Sequence, residues 1–471
     1  MTLKALSMHL AWSSSSSSDR HPFQLCTGLP PFTPVADTVV RYLVGFIFFN
    51  TPCVLRPSFT FSNPTILASV PHLSDARGQA IGFLQALTLQ NVTLHIEQHG
   101  DSVNYPFLDG LPLETRQLLR HAADARPPLE ESIVICHSEP GAWHPSRYPT
   151  SRCPPRKALY RVGRTMFETD RLPSGWAERM SRDKMDEIWV PTAFQKRVFV
   201  EGGVEAERIQ VVGEPIDTDF FSPENPALLS LPQSSGLPPS LPPSSFLYLS
   251  IFKFEERKGF DLLLRAYFEA FAPEEEDVAL LLLTNAYHSS DDFETPVKAI
   301  AKEYFPEKKY PEELPAVHIM SGATALQLLA LYQAADVFVL PSRGEGWGRP
   351  HVEAMAMAKP VIATNWSGPT EFMTPANSYP LHVEGLEEVR NGPFKGHRWA
   401  SPSLSHLISL LQYTFSHQEE GREKGKEARR DMLRRFSPEV MGEEVRRHLE
   451  RIEEQVRMRE GERRKESKDE L

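Results

Sequence analysis

The hydrophobic pattern of the chain alternates between short apolar runs and longer stretches in which apolar residues recur at helical spacing. Residues 65–70 are predicted to form a strand, residues 75–89 a helix and residues 92–96 the next strand. This alternation favours parallel sheets covered by helices, an α/β fold. From Ser401 onward the pattern is mostly helical. Further strands are predicted at residues 132–136, 186–191, 209–212, 246–252, 278–284, 316–320, 337–340 and 361–364.

The stretch from Leu340 to Phe372 predicts a strand, a glycine-punctuated turn, a helix and a second strand. Pro350 suits the first helical turn, where its missing N–H costs nothing, and the helix is expected to end near residues 359–360. Glu345 then lies in the loop and Glu353 in the first turn. Two carboxylates therefore converge on a helix N-terminus, whose unpaired N–H groups favour an anion.

This arrangement suits a nucleotide sugar, because the helix end can hold a diphosphate while the carboxylates bind sugar hydroxyls on either side. Gly346 and Gly348 would let the backbone approach the phosphates closely. The alternative interpretation is structural: Glu345 caps the helix, and Glu353 merely stabilises its positive end.

The motif EGWGRPHVE resembles the E-x7-E signature of the retaining GT-B glycosyltransferases of glycosyltransferase family 4, as do the flanking segments LPSR and EAMAMAKPVIATNWSG. The resemblance implies two Rossmann-like, doubly wound parallel-sheet domains that face each other across a cleft. It also implies that Glu345 contacts the donor sugar and that Glu353 binds the ribose of the nucleotide. Gly346, Trp347 and Gly348 are the other donor-binding candidates in this motif.

A charged turn, KFEERKG, follows the strand predicted at residues 246–252. Cations at the end of a parallel strand could neutralise a diphosphate leaving group, which makes Lys253 and Lys258 candidate catalytic residues and Arg257 a candidate donor-binding residue. The family resemblance implies arginine and lysine at the two lysine positions. With Lys253 in place of the arginine, the charge is kept but a two-pronged planar contact is lost. Taken alone, the segment is simply a charged turn.

Two segments of the first half carry further candidates. His137 ends the predicted strand in ICHSEPG, where a histidine can bind the transferred sugar or stabilise charge, and the resembling family places an active-site histidine after such a strand. A structural histidine is the alternative. In VGRTMFETDRLPSGW, the residues Glu168, Asp170 and Arg171 suit acceptor recognition, and a mutual salt-bridge network explains them as well.

The chain is expected to divide into a targeting segment at 1–60, an acceptor domain at 61–221, a Pro/Ser-rich linker at 222–245, a nucleotide-sugar domain at 246–430 and a charged C-terminal helix with its tail at 431–471. Asp217-Thr218-Asp219 is interpreted as a turn, since GT-B enzymes need no metal at such a motif. No metal and no cofactor are expected beyond the nucleotide sugar itself.

The formal charge of −11 and the pI near 5.9 argue against a nucleic-acid partner, which normally requires a basic surface. The four cysteines, Cys26, Cys53, Cys136 and Cys153, have no metal-binding spacing. For Cys136, in a predicted buried strand, we expect an inert thiol. A disulfide with Cys153 is the alternative.

Both chain ends carry possible targeting signals. Residues 468–471 spell KDEL, a signal read by a retrieval receptor, and the apolar run at 42–49 has the length of a signal-peptide core. The expected location is the lumen of the endoplasmic reticulum. The rivals are a plastid, because the first 60 residues are serine-rich and nearly free of acid, and the cytoplasm.

The sequence therefore predicts a retaining, metal-independent transferase that moves a sugar from a nucleotide-diphosphate sugar to a hydroxyl of a glycan, protein or lipid. In the resembling family the leaving diphosphate itself helps to take the acceptor proton. One rival is a sugar-nucleotide epimerase or a phosphorylase of the same architecture. The other is a sugar-binding protein that has lost catalysis.

Overall fold

The computed structural model describes residues 42–43, 52–56, 75–96, 111–125, 127–143, 153–229, 237–239, 241, 245–272, 278–286 and 291–469. Predicted features outside this part of the chain are the strand at 65–70, most of the apolar run at 42–49, much of the Pro/Ser-rich segment and the end of the KDEL tail.

The first domain is built on a sheet of short strands with helices against it. Its elements are β1 (Tyr42–Leu43), β2 (Pro52–Arg56), α1 (Asp75–Leu89), β3 (Leu94–Ile96), α2 (Leu113–Asp124), β4 (Ile133–His137), β5 (Tyr160–Arg164), α3 (Trp176–Arg179), β6 (Glu187–Val190), α4 (Ala193–Glu201) and β7 (Ile209–Val211). Strands β4 to β7 are parallel and adjacent in sequence order, and β2 pairs antiparallel with β3 and β4. Strands β1 and β2 come from the segment assigned to targeting.

After the short helix α5 (Pro226–Leu229), the second domain has a parallel sheet in the order β10-β9-β8-β11-β12-β13. Its elements are β8 (Phe246–Phe254), α6 (Phe260–Ala270), β9 (Val278–Ala286), α7 (Glu294–Tyr304), β10 (Val317–Ser321), α8 (Ala325–Ala334), β11 (Val337–Leu340), α9 (Arg349–Ala356), β12 (Val361–Thr364) and β13 (Tyr379–Leu381). Strands β8, β9, β11 and β12 bury almost continuous apolar runs, as parallel strands covered on both faces do, whereas the edge strand β10 is only half-buried. These two sheets confirm the predicted α/β fold with two parallel-sheet domains.

An antiparallel hairpin, β14 (Val383–Glu388) and β15 (Arg398–Pro402), extends from the second domain and was absent from the sequence prediction. Three helices end the chain: α10 (Leu404–Ser416), α11 (Gln418–Arg435) and α12 (Pro438–Asp469).

Helix α12 lies against the first domain. Its residues Met441, Val445, Leu449 and Ile452 are buried, and a Cβ at Gly442 would lie 2.3 Å from the carbonyl oxygen of Ala86 in α1. Arg451 pairs with Glu187 at 2.6 Å. The last helix of the chain therefore completes the core of the first domain.

Cys136, in β4, forms a disulfide with Cys153, and their Cα atoms lie 5.8 Å apart. The prediction of an inert thiol at Cys136 is therefore wrong, and the disulfide alternative is correct. The two cysteines are 17 residues apart in the sequence, and only the fold brings the segment before β5 back to β4.

Among the described residues, none of the helices combines the length and the apolar composition needed to cross a bilayer.

Candidate functional site

The carboxyl ends of the second domain's parallel strands carry most of the predicted charged residues. Lys253 belongs to β8 itself, which runs two residues further than predicted, and pairs in register with Asn285 of β9. Arg257 and Lys258 lie in the single helical turn Glu256–Lys258 that follows β8. Glu345 lies in the loop between β11 and α9. The loops of adjacent parallel strands bring these residues to one edge of the sheet.

Lys258 and Glu345 form a buried ion pair. The Nζ of Lys258 lies 2.8 Å from each carboxylate oxygen of Glu345, and both side chains are about 5% exposed or less. The backbone N–H of Glu345 also donates to the Oγ of Ser367 at 2.9 Å. Burial raises the pKa of Glu345, but the charges of Lys258 and Arg257 outweigh this effect and lower it to about 2. Glu345 is therefore an anion throughout the physiological pH range.

Arg257 connects this pair to further carboxylates. Its guanidinium lies 3.2 Å from Glu345, 2.6 Å from Glu255 and 3.2 Å from Glu168 of the first domain. We call Glu168, Glu255, Arg257, Lys258 and Glu345 the charged cluster. It joins both domains through side-chain ion pairs.

Helix α9 begins after Gly348, whose backbone has φ +114°, a conformation that favours glycine. Pro350 lies in the first turn, as predicted. The helix ends at Ala356, earlier than the predicted residues 359–360, and Ala358 then has a positive φ of 56°. A single left-handed residue thus redirects the chain into β12.

Glu353 lies beyond the first turn of α9, not within it as predicted, because the helix already begins at Arg349. The hydroxyl of Tyr332 donates to its carboxylate at 2.9 Å, and Arg349 lies 3.6 Å away. Arg349 also donates to the carbonyl of Pro215 at 2.7 Å, in the segment after β7. The start of α9 is therefore fixed to the connection between the domains.

Trp347 was expected to contact the donor, but its side chain lies in the protein interior. The indole is 1% exposed and has edge contacts with Phe372 and Phe436, each with ring centroids 5.2 Å apart. Trp347 lies between Gly346 and Gly348 in the sequence, and this pattern does not indicate whether the indole points toward a ligand or into the core. The structure therefore assigns the indole to packing, and the prediction for this side chain is corrected.

The glycines of the motif approach the first domain closely. A Cβ at Gly346 would lie 2.6 Å from the sulfur of Met166, and one at Gly344 would lie 2.4 Å from the backbone oxygen of Glu168. Close contact between the domains therefore favours glycine at both positions. For Gly346 this reason differs from the predicted approach to phosphates.

Residues 166–170, which follow β5, contact the second domain at every position, and we call them the docking strip. Met166 lies against Gly346 and Phe167 against Phe394, with ring centroids 4.8 Å apart. The remaining contacts join Glu168 to Arg257 at 3.2 Å, the Thr169 hydroxyl to the Nδ1 of His397 at 2.8 Å, and the carboxylate of Asp170 to the backbone N–H of Arg398 at 2.7 Å.

Asp170 and Arg171 form an ion pair with each other at 2.5 Å. This matches the salt-bridge interpretation for Asp170 and Arg171, whereas Glu168 pairs with Arg257 and does not join a mutual network with them. Arg171 is half exposed, whereas Asp170 is mostly buried. Asp170 therefore contributes to domain contact in this structure.

His137 ends β4 next to Arg164 of β5, and its ring is 6% exposed. Burial lowers the pKa of His137 to about 3, and the positive charge of Arg164 contributes to the shift. The imidazole is therefore neutral at physiological pH. Arg164 itself donates to the backbone carbonyls of Val212 and Gly213.

Sequence reasoning missed three residues that support the site. Ser367 accepts the N–H of Glu345 from a strained backbone conformation with φ 56°, Tyr332 orients Glu353, and His351 is buried on α9, where its charge would lower the pKa of Glu345. His351 lies inside the quoted motif, so its position was the available signal. Ser367 lies in the quoted flanking segment EAMAMAKPVIATNWSG, whereas Tyr332 lies outside the quoted segments and gave no signal.

The carboxylate of Asp217 accepts the backbone N–H of Phe220 at 2.8 Å. This hydrogen bond is typical of a turn, as Asp217-Thr218-Asp219 was interpreted. Within the described residues, the structure has no group of three or more His, Cys, Asp or Glu side chains arranged to hold a metal ion.

Comparison with known proteins places this geometry in context. Residues 243–386 match the family described as Glycosyl transferases group 1. The chain is 25% identical over 217 residues to a D-inositol 3-phosphate glycosyltransferase of Corynebacterium aurimucosum, covering 45% of this chain and 48% of that protein. It is 26% identical to a mannosylfructose-phosphate synthase of Agrobacterium fabrum, covering 43% of each. The chain thus spans about half the length of these curated relatives.

Among solved structures, Alr3699/HepE of Anabaena in complex with UDP and glucose has a TM-score of 0.56 at 14% identity, covering 82% of this chain and 99% of that one. A glycosyltransferase from Rickettsia africae has a TM-score of 0.53 at 17% identity, covering 83% and 99%. At these identities the likeness shows the fold, and it agrees with the predicted GT-B architecture.

Proposed function

Because residues 243–386 match the family described as Glycosyl transferases group 1, we propose that this chain transfers a sugar from a nucleotide-diphosphate sugar to an acceptor hydroxyl. The observation that carries the proposal is the charged cluster beside the start of α9, with Glu353 one turn into that helix. The complexes of Alr3699/HepE with UDP and with UDP-glucose support a nucleotide sugar as the donor.

In this proposal the diphosphate binds between the start of α9 and three cations at the carboxyl end of β8 and in the turn that follows it, Lys253, Arg257 and Lys258. Cationic side chains there stabilise the charge that develops on the leaving diphosphate, an electrostatic contribution that needs no metal. Glu353 binds the ribose hydroxyls. Glu345 orients the sugar, and its low pKa keeps it an acceptor of hydrogen bonds.

Transfer would proceed with retention at the anomeric carbon. The acceptor oxygen forms its bond on the face from which the diphosphate departs, and a phosphate oxygen takes the acceptor proton. His137 is neutral, so its role would be to bind the sugar or the acceptor through a hydrogen bond. The acceptor is a hydroxyl of a glycan, protein or lipid, bound on the first-domain side.

We also propose residence in the lumen of the endoplasmic reticulum, with the KDEL sequence as the signal for a retrieval receptor. The Cys136–Cys153 disulfide supports this location, because disulfides persist in oxidising compartments. A tagged full chain should lie in the endoplasmic reticulum, whereas the same chain without its last four residues should be secreted. Identical distribution of both chains would overturn the proposal.

The activity is tested by incubating the purified full chain with a panel of nucleotide sugars and scoring nucleotide release with and without acceptors. Glu353→Gln should lower kcat/KM by about 100-fold or more if it holds the ribose. Glu294→Gln, the same change on an exposed helix, is the control and should behave as the native chain. Release that depends on added phosphate would instead indicate a phosphorylase, and donor binding without turnover would indicate a sugar-binding protein.

A further inference from the structure

Glu168 belongs to both the docking strip and the charged cluster. Among the contacts of the described residues, it is the only residue of the strip whose side chain pairs with a cation of the cluster. Its carboxylate approaches the Nε of Arg257 at 3.2 Å and is 22% exposed. Burial raises the pKa of Glu168, Arg257 lowers it, and the carboxylates of Glu255 and Glu345 raise it, with a net increase. The environment of Glu168 is thus less favourable to its charge than that of Glu345.

The charged cluster contains three carboxylates, on Glu168, Glu255 and Glu345, and two cationic groups, on Arg257 and Lys258, so its formal charge is −1. A diphosphate adds further negative charge, and it binds a guanidinium with the same geometry as a carboxylate does. Entry of a diphosphate is therefore favoured if one carboxylate leaves Arg257.

Of the three carboxylates, Glu168 is the one most able to leave. Glu345 is held by both of its oxygens on Lys258 at 2.8 Å, and Glu255 lies two residues from Arg257 at 2.6 Å. Glu168 contacts Arg257 at 3.2 Å, the same distance as Glu345, but it belongs to the other domain. The carboxylate of Glu168 could therefore leave the guanidinium of Arg257 while the ion pair of Lys258 and Glu345 stays in place.

Building on the proposed function, we propose that Glu168 is a positioning residue that acts through Arg257. Its carboxylate occupies the place of a phosphate group on the guanidinium in the absence of donor, and the diphosphate displaces it. Donor binding thereby breaks the ion pair between Glu168 of the docking strip and Arg257 of the second domain. Glu168 is thus a competitor for the donor's binding partner rather than a contact for the acceptor.

The test is calorimetric titration of the full chain with UDP, GDP and inorganic pyrophosphate at low ionic strength. Glu168→Gln should bind the preferred nucleotide about three- to tenfold more tightly, as expected for loss of one competing ion pair. Glu187→Gln is the matched control: it removes the pair with Arg451 between the first sheet and α12, away from the cluster, and should leave affinity unchanged.

A double-mutant cycle shows whether the effect passes through Arg257. In an Arg257→Gln background, Glu168→Gln should have no further effect on affinity. In the native background, Glu168→Asp keeps a carboxylate beside Arg257 and should bind nucleotide about as tightly as the native chain. Circular dichroism and thermal unfolding verify that each variant is folded. Equal or weaker nucleotide binding by folded Glu168→Gln overturns this inference alone, whereas no binding of any nucleotide or of pyrophosphate by the native chain overturns the proposed function as well.

Discussion

The two domains use ionisable residues differently where they meet. On the second-domain side, Arg257 and Lys258 each pair with Glu345 at the ends of parallel strands. On the first-domain side, His137 and Arg164 are buried at strand ends, and Arg164 bonds to the backbone of its own domain and lies 3.7 Å from the buried carboxylate of Glu214. The ion pairs of the second domain lie where the proposed donor would bind, whereas the first domain pairs these buried charges within its own fold and supplies close contact. Glu168 alone extends charge from the docking strip into the cluster.

The largest effect is expected from removing Lys258 and with it the ion pair to Glu345 in the charged cluster. Lys258→Ala leaves the buried Glu345 carboxylate with Arg257 as its remaining ion-pair partner, and such a loss costs about 3 kcal/mol of unfolding free energy. We also expect kcat to fall about 100-fold, because one group that neutralises the leaving diphosphate is gone. Chemical denaturation and a transfer assay measure the two effects.

The control for this variant is Lys302→Ala, on an exposed position of α7, which should leave both quantities unchanged. A loss of stability below about 1 kcal/mol in Lys258→Ala would mean that Arg257 alone compensates Glu345.

A change of pH should weaken the same ion pair without a mutation. The pKa of Glu345 is lowered from 4.5 to about 2, so the folded protein resists protonation of this carboxylate more than the unfolded chain does. This contribution to stability is present above pH 4.5 and is lost as the pH falls toward 2. Its full size is on the order of 3 kcal/mol.

The measurement is the free energy of unfolding of the native chain and of Glu345→Gln between pH 6 and pH 3. The native chain should lose more stability over this interval than the variant, which has no carboxylate to titrate there. Parallel curves would show that Glu345 does not determine this dependence.

The smallest effect on stability is expected at the close contacts between the second domain and the docking strip. Two neighbouring glycines, Gly344 and Gly346, allow the cost of these contacts to be compared. The Cβ of Gly344→Ala would meet the backbone oxygen of Glu168 at 2.4 Å, whereas that of Gly346→Ala would meet the flexible side chain of Met166 at 2.6 Å. Because a backbone cannot move aside as a methionine can, Gly344→Ala should cost about 2 kcal/mol and Gly346→Ala about 1 kcal/mol or less.

Unfolding midpoints of these two variants measure the difference. The reverse order would indicate that the docking strip moves away from Gly344 more easily than Met166 changes its rotamer.

Local sequence patterns predicted those parts of the fold that depend on neighbouring residues. Helix α1 and strand β12 have the predicted bounds. Thr192 caps α4 by accepting the N–H of Gln195, a local contact of the same kind. Apolar periodicity and capping chemistry are local, so they can be read from short segments.

Contacts between distant segments could not be predicted in the same way. Lys258 and Glu345 are 87 residues apart. The sequence assigned Lys258 to the leaving diphosphate and Glu345 to the donor sugar, without indicating that the two side chains bind each other. The hairpin of β14 and β15 has an acidic, mostly exposed first strand without apolar alternation, so its pairing becomes evident only in the folded chain. The direction of Trp347 likewise depends on Phe372 and Phe436, which come later in the chain.

Helix α12 has a consequence for biosynthesis. A chain emerging from the ribosome usually folds its amino-terminal domain first. Here the apolar face of α1 receives its cover from residues 441–452, near the other terminus, so the early half must wait for nearly the whole polypeptide to be made. A nascent chain of this protein would therefore depend on chaperones to shield that surface until translation is complete.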